Sequence, residues 1–135
     1  MAEEVLVSES ISRDMISAGD RLARHLVASE LPIDGLLWLY VPESHSWRFV
    51  VASPEVSTLG PKNVYQRIRA IIEQIPPSDA QVVSWDDIFV VDTKDPFIQL
   101  MRQALHTGEG VSGTRLSRNV VKGVLIEDAY VYRLS

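Results

Sequence analysis

"GLLWLYVPESHSWRFVVAS", Gly35 to Ser53, is the stretch whose reading decides the fold. Two runs rich in β-branched, aromatic and leucine side chains flank the polar segment Pro42–His45, which has turn chemistry. The pattern predicts an antiparallel hairpin. Pairing Val41 with Trp47 sets Leu39 opposite Phe49 and Leu37 opposite Val51 on one surface, the core side. The same register sets Tyr40 against Arg48 and Trp38 against Val50 on the other. Aromatic residues and arginine are enriched at the centres of protein interfaces, so Trp38, Tyr40 and Arg48 form a candidate contact face.

Helical patterns surround the hairpin. Ser10 or Ser12 suits a cap for a helix running to about Glu30, with Ile11, Met15, Ala18, Leu22 and Leu26 at helical spacing and Asp14 near the positive end of the dipole. Gly19 inside it costs about 1 kcal/mol relative to alanine, which suggests a close approach. A second helix opens at Pro61, buries Val64, Ile68, Ile71, Ile72 and Ile75, and stops at Pro76 and Pro77. "AQVVSW" and "DIFVVD" then read as two short strands. A third helix, capped by Thr93 or Asp95, turns Phe97, Leu100, Met101, Ala104 and Leu105 inward and ends at Gly108. The tail from Thr114 reads as a closing pair of strands, with turns at Ser117–Asn119 and Glu127–Asp128.

These elements predict an α+β fold in the order α-β-β-α-β-β-α-β-β, a mostly antiparallel sheet packed by three helices. A chain of 135 residues with no linker or repeat reads as a single globular domain, with residues 1–9 a loosely ordered terminus. The absence of cysteine excludes disulfides, thiol nucleophiles and cysteine zinc sites. The acidic N-terminus lacks the pattern of a signal peptide, and the longest apolar run is far short of a membrane span, so a cytoplasmic location away from membranes is expected.

"TGEGVSG", Thr107–Gly113, has the G-x-G-x-x-G spacing of a dinucleotide loop. Such a loop works by following a strand and opening a helix, which aims the helix N-terminus at a pyrophosphate. Here the predicted order is reversed, so the glycines read as a helix stop and a turn, with no cofactor. The three histidines, His25, His45 and His106, lack metal-binding spacing, and no serine sits in G-x-S-x-G.

In "FVVDTKDP", Asp92 and Lys94 form a D-x-K at the end of a predicted strand, with Asp79 upstream in "PPSD". This arrangement resembles the PD-(D/E)xK nucleases, in which two acids on adjacent strands hold a divalent metal and the lysine positions or activates water. The resemblance implies Mg²⁺ held by Asp79 and Asp92, with Lys94 assisting phosphodiester hydrolysis. The chain differs in Ser78, which follows the proline, and in aspartate replacing the commoner glutamate. The competing reading of the same residues is a cap for the third helix.

A net charge of −5 disfavours nucleic acid overall. Locally, Arg115, Arg118, Lys122 and Arg133 make the tail basic, and Tyr130 and Tyr132 add stacking surfaces of the kind that bind single strands. The leading expectation is a non-catalytic protein-interaction module that forms a homo-oligomer or joins a protein partner. The alternatives are the Mg²⁺-dependent nuclease and a small-ligand-binding domain with a pocket beside the sheet.

Overall fold

The computed structural model describes residues 10–76 and 83–135. The expectation for residues 1–9 therefore lies outside the described residues. The fold is α+β, in the order α1 (Arg13–Ala28), β1 (Gly35–Val41), β2 (Ser46–Ser53), α2 (Glu55–Leu59), α3 (Pro61–Glu73), β3 (Ile88–Asp92), α4 (Pro96–Ala104), β4 (Thr114–Val121) and β5 (Val124–Leu134). The strands form one sheet, β3-β2-β1-β5-β4. All neighbours are antiparallel except β2 and β3, which run parallel. The mixed sheet has a simple cause: the crossover through α2 and α3 returns the chain to the end of the sheet where β2 began.

Two differences from the expected order concern this crossover. A short helix, α2, follows Pro54, and "AQVVSW" does not supply a strand in its described part. Val83 and Ser84 are irregular and Trp85–Asp87 forms a 3₁₀ turn, while residues 80–82 lie outside the described residues.

The hairpin is present with a different register. Val41 pairs with Ser46, Tyr40 with Trp47, Leu39 with Arg48 and Trp38 with Phe49. A 3₁₀ turn at Pro42–Ser44 closes the connection, and His45 completes it at φ 49°. The connection is thus four residues long. A one-residue slip exchanges partners across the faces, because side chains alternate with period two.

Each face of the sheet has its own core. On one, Leu36, Trp38, Phe49, Val51 and Tyr132 pack beneath α1 and α3, which contribute Leu22, Leu26, Val64 and Ile68. On the other, Leu37, Val50, Ala52, Ala129 and Val131 are covered by α4 through Ile98 and Met101. Ile98 carries this contact, whereas Ala104 of the expected stripe is exposed.

The caps follow the expected chemistry. Ser12 accepts a hydrogen bond from the Met15 amide at 3.1 Å and caps α1. Asp95 accepts from the Phe97 amide at 2.9 Å and caps α4, a contact of about 1 kcal/mol. α4 ends at Ala104, earlier than Gly108, because the chain turns extended at Leu105 and joins β5: the Thr107 amide donates to the Leu134 carbonyl at 2.9 Å. Gly108, at φ 83°, lies in the loop beyond. Gly113 answers a different demand, since a Cβ there would sit 2.3 Å from the Tyr130 hydroxyl oxygen. As expected for a reversed fingerprint, no helix starts after the glycines; β4 does.

Candidate functional site

The register decides what becomes of the expected contact face. Trp38 is 2% exposed, in the core beneath α1, and Tyr40 is 6% exposed, its ring 5.3 Å from that of Trp47. The Trp38 indole donates from Nε1 to the Met15 carbonyl at 3.0 Å, and its ring meets Phe49 edge-on at 5.1 Å. Arg48 belongs to the opposite surface, where its guanidinium lies 4.2 Å from the centre of the Phe89 ring. Trp38, Tyr40 and Arg48 therefore do not share an exposed surface. Helix α1 covers Trp38, and period-two alternation places the arginine on the other face from both aromatics.

The basic tail is also divided. Tyr132 is 1% exposed and donates its hydroxyl to the Ile16 carbonyl at 2.7 Å. Burial raises its pKa strongly, with the neighbouring Tyr130 and Asp20 adding to the effect, so the phenol stays neutral. Tyr130, half-buried, lies 5.2 Å from the Tyr132 ring. Arg133 turns inward and donates from Nε to the Ile33 carbonyl at 2.9 Å. Arg115 makes a fork to Asp128, with Nε at 3.0 Å from one oxygen and Nη2 at 2.6 Å from the other. Only Arg118 and Lys122 of this set remain exposed without an ion pair among the described residues. Tyr132 is consequently closed to a stacked base, and Arg115 spends its charge on Asp128.

Asp92 stands at the end of β3, where it accepts hydrogen bonds from the Ser57 hydroxyl and, at 3.0 Å, from the Lys94 amide. The Ser57 bond chiefly, and the Lys94 amide next, hold its carboxyl below the usual aspartate range. Beside it the Thr93 hydroxyl donates to Asp34 at 2.8 Å, and the Gln99 side chain donates to the Thr93 carbonyl at 2.7 Å. The Thr93–Asp34 bond ties the β3–α4 connection to the start of β1, and the Ser57–Asp92 bond ties it to α2. Asp79 lies outside the described residues, and no group of three potential metal ligands occurs among the described ones. The local geometry of Asp92 and Lys94 is that of a turn before a helix.

The sign of the Asp92 shift gives a prediction. A carboxyl with a lowered folded pKa contributes stability that is complete above its unfolded value, about 3.9, and is lost as pH falls through the folded value. Asp92→Asn should therefore flatten the acid side of the stability–pH curve below about pH 4, read by urea unfolding at successive pH values. An unchanged acid limb would show that the Ser57 and Lys94 bonds do not set the carboxyl's affinity for a proton.

The sequence reading missed the tip of the β4–β5 hairpin. Val120, Val124 and Leu125 are 68%, 46% and 56% exposed, and with Phe89 at 37% they are the exposed large hydrophobics among the described residues. Val120 pairs with Leu125, and the turn falls at Lys122 and Gly123, whose φ values are 47° and 80°. Arg118, at φ 53°, interrupts β4 below the tip, so the apolar end is a bent projection of the sheet. The bend and the cations also protect the outer edge of β4 from pairing with another strand.

Among the described residues no helix is long and apolar enough to cross a membrane. No protein-family model matches the chain, and neither the curated proteins nor the solved structures contain a significant match to it.

Proposed function

We propose that the protein is a non-catalytic interaction module that self-associates through the β4–β5 tip. The exposed ladder pair Val120 and Leu125, with exposed Val124 beside it in β5, is the observation that supports this reading, because an apolar projection loses its water contact only against another surface. A second copy offers a complement at the opposite edge of the sheet. Phe89 is there exposed, preceded by Asp86 and Asp87 in the 3₁₀ turn. Lys122 at the tip is opposite in charge to these acids.

The Asp87 carboxyl already has a raised pKa, from burial first and from neighbouring Asp86 second. A cation brought near by a second copy would relieve that repulsion. Sedimentation over a concentration series tests the reading. Val120→Ser combined with Leu125→Ser is expected to raise the self-dissociation constant at least about tenfold, since each buried aliphatic side chain is worth about 1.5–3 kcal/mol. Lys122→Glu should weaken association further at low salt. A monomer at every concentration sinks the proposal.

A further inference from the structure

A cleft of about 310 Å³ opens at the bend of the β4–β5 hairpin, away from the tip. Ser10, Tyr40 and the Arg115–Asp128 fork line it. Ser117, Arg118 and Glu127 complete the lining. In the β4–β5 ladder, Ser117 pairs with Asp128 and Asn119 with Ile126, so Arg118 and Glu127 occupy the facing positions between those two pairs. They are not ladder partners, and neither forms an ion pair among the described residues. Arg118 takes the left-handed conformation there, at φ 53°, which a residue with a long side chain rarely adopts. The bend thus presents a cation and an anion to one cleft without joining them.

From this juxtaposition we infer that the cleft binds a small zwitterion of the α-amino-acid type, its carboxylate accepting from the Arg118 guanidinium and its ammonium donating to the Glu127 carboxylate. A simple anion would leave Glu127 facing a like charge, and a simple cation would leave Arg118 in the same position. Only a ligand carrying both charges meets both groups. The fork keeps Arg115 and Asp128 mutually neutral, so neither competes for the ligand's charges. Size points the same way: the cleft lies at the lower end of the roughly 300–1,000 Å³ of small-molecule sites, which suits an amino acid better than a nucleotide. This inference stands apart from self-association, because the residues it uses lie below the tip and none of them is Val120, Val124 or Leu125.

The experiment is an NMR titration of the ¹⁵N-labelled full chain with L-leucine, L-phenylalanine, L-glutamate and L-lysine. The N-acetyl and methyl-ester forms of each, which remove one charge, serve as comparisons. At least one free amino acid is expected to give saturable shifts at the Ser117, Arg118 and Glu127 amides, with a dissociation constant of about 1 mM or tighter. Each blocked form should bind about tenfold or more weakly, the effect of one lost charge-assisted hydrogen bond. Arg118→Gln and Glu127→Gln, both at positions with solvent access, should each reproduce that loss while leaving the β1 amides unmoved. The inference is overturned if no probe saturates by about 10 mM, if the blocked forms bind as well as the free ones, or if both variants bind like the parent. The double serine variant of the tip separates the two proposals: it should weaken association at least about tenfold and leave the titration unchanged.

Discussion

Trp38→Ala is expected to destabilise the fold by about 4 kcal/mol, in the range of large aromatic-to-alanine changes in cores. The indole is almost fully enclosed, meets Phe49 edge-on and satisfies the Met15 carbonyl of α1. Its removal leaves a cavity between helix and sheet and takes away that bond. Urea unfolding with an unchanged slope measures the loss. Had Trp38 lain on a free surface, the same substitution would change association and leave stability within about 0.5 kcal/mol. Arg48→Ala, on the opposite face over Phe89, should cost less than about 1 kcal/mol, since its contact is a single half-buried cation–ring stacking. Comparable losses for the two variants would contradict the observed register.

Gly19→Ala is the second large effect, and its sign opposes helix propensity. Alanine in a helix interior ordinarily gains about 1 kcal/mol over glycine. Here the new Cβ would stand 2.3 Å from the Tyr132 hydroxyl oxygen and 2.6 Å from Trp38 Nε1. Both atoms are buried and hydrogen-bonded to carbonyls of the same helix, at Ile16 and Met15, so neither can retreat without breaking its bond. The helix must lift from the sheet or the two rings must shift. A net loss of about 3 kcal/mol follows from overpacking plus two strained hydrogen bonds. Gly110→Ala, where an added Cβ meets nothing, is the control and should be near neutral. Tyr132→Phe should restore part of the Gly19→Ala loss, because it removes the nearest obstructing atom; strictly additive effects would show that the clash is not with that hydroxyl.

Much of the fold could be read from the sequence where one short pattern settled one element. Pro61 and Pro76 bracket α3, and the spacing of Val64 and Ile68 gives its buried stripe. The hairpin was visible as well, but its register depended on whether the connection used four residues or five. His45 settles that by adopting a left-handed conformation, which sequence composition alone does not announce. From that one residue followed the misplaced contact face of Trp38, Tyr40 and Arg48. In the tail, the polar Ser117–Asn119 attracted the turn assignment, although Lys122–Gly123 between two valine-rich runs is the two-residue turn signal. The candidate surfaces were less legible for a physical reason. Alternation says which residues share a face, but exposure of Val120 and Leu125 depends on no helix reaching the tip, and a cleft between Tyr40 and Arg118 depends on strands that meet only in the folded sheet.

That meeting of strands has a bearing on how fast the chain can reach its native state. β1 lies at the centre of the sheet between β2, its immediate successor, and β5, the last strand. The Arg133–Ile33 bond spans 100 positions and the Tyr132–Ile16 bond 116. Such non-local pairings demand loop closure before they return any stabilisation, which places folding toward the slower, millisecond-to-second regime. During synthesis at roughly 5–20 residues per second, several seconds separate β2 from β5. Through that interval the β1–β2 hairpin carries an open edge, and α1 lacks the tyrosine that anchors it. A nascent chain in this state presents apolar surface and an unpaired strand at once, the combination that chaperones recognise and that crowding turns toward aggregation.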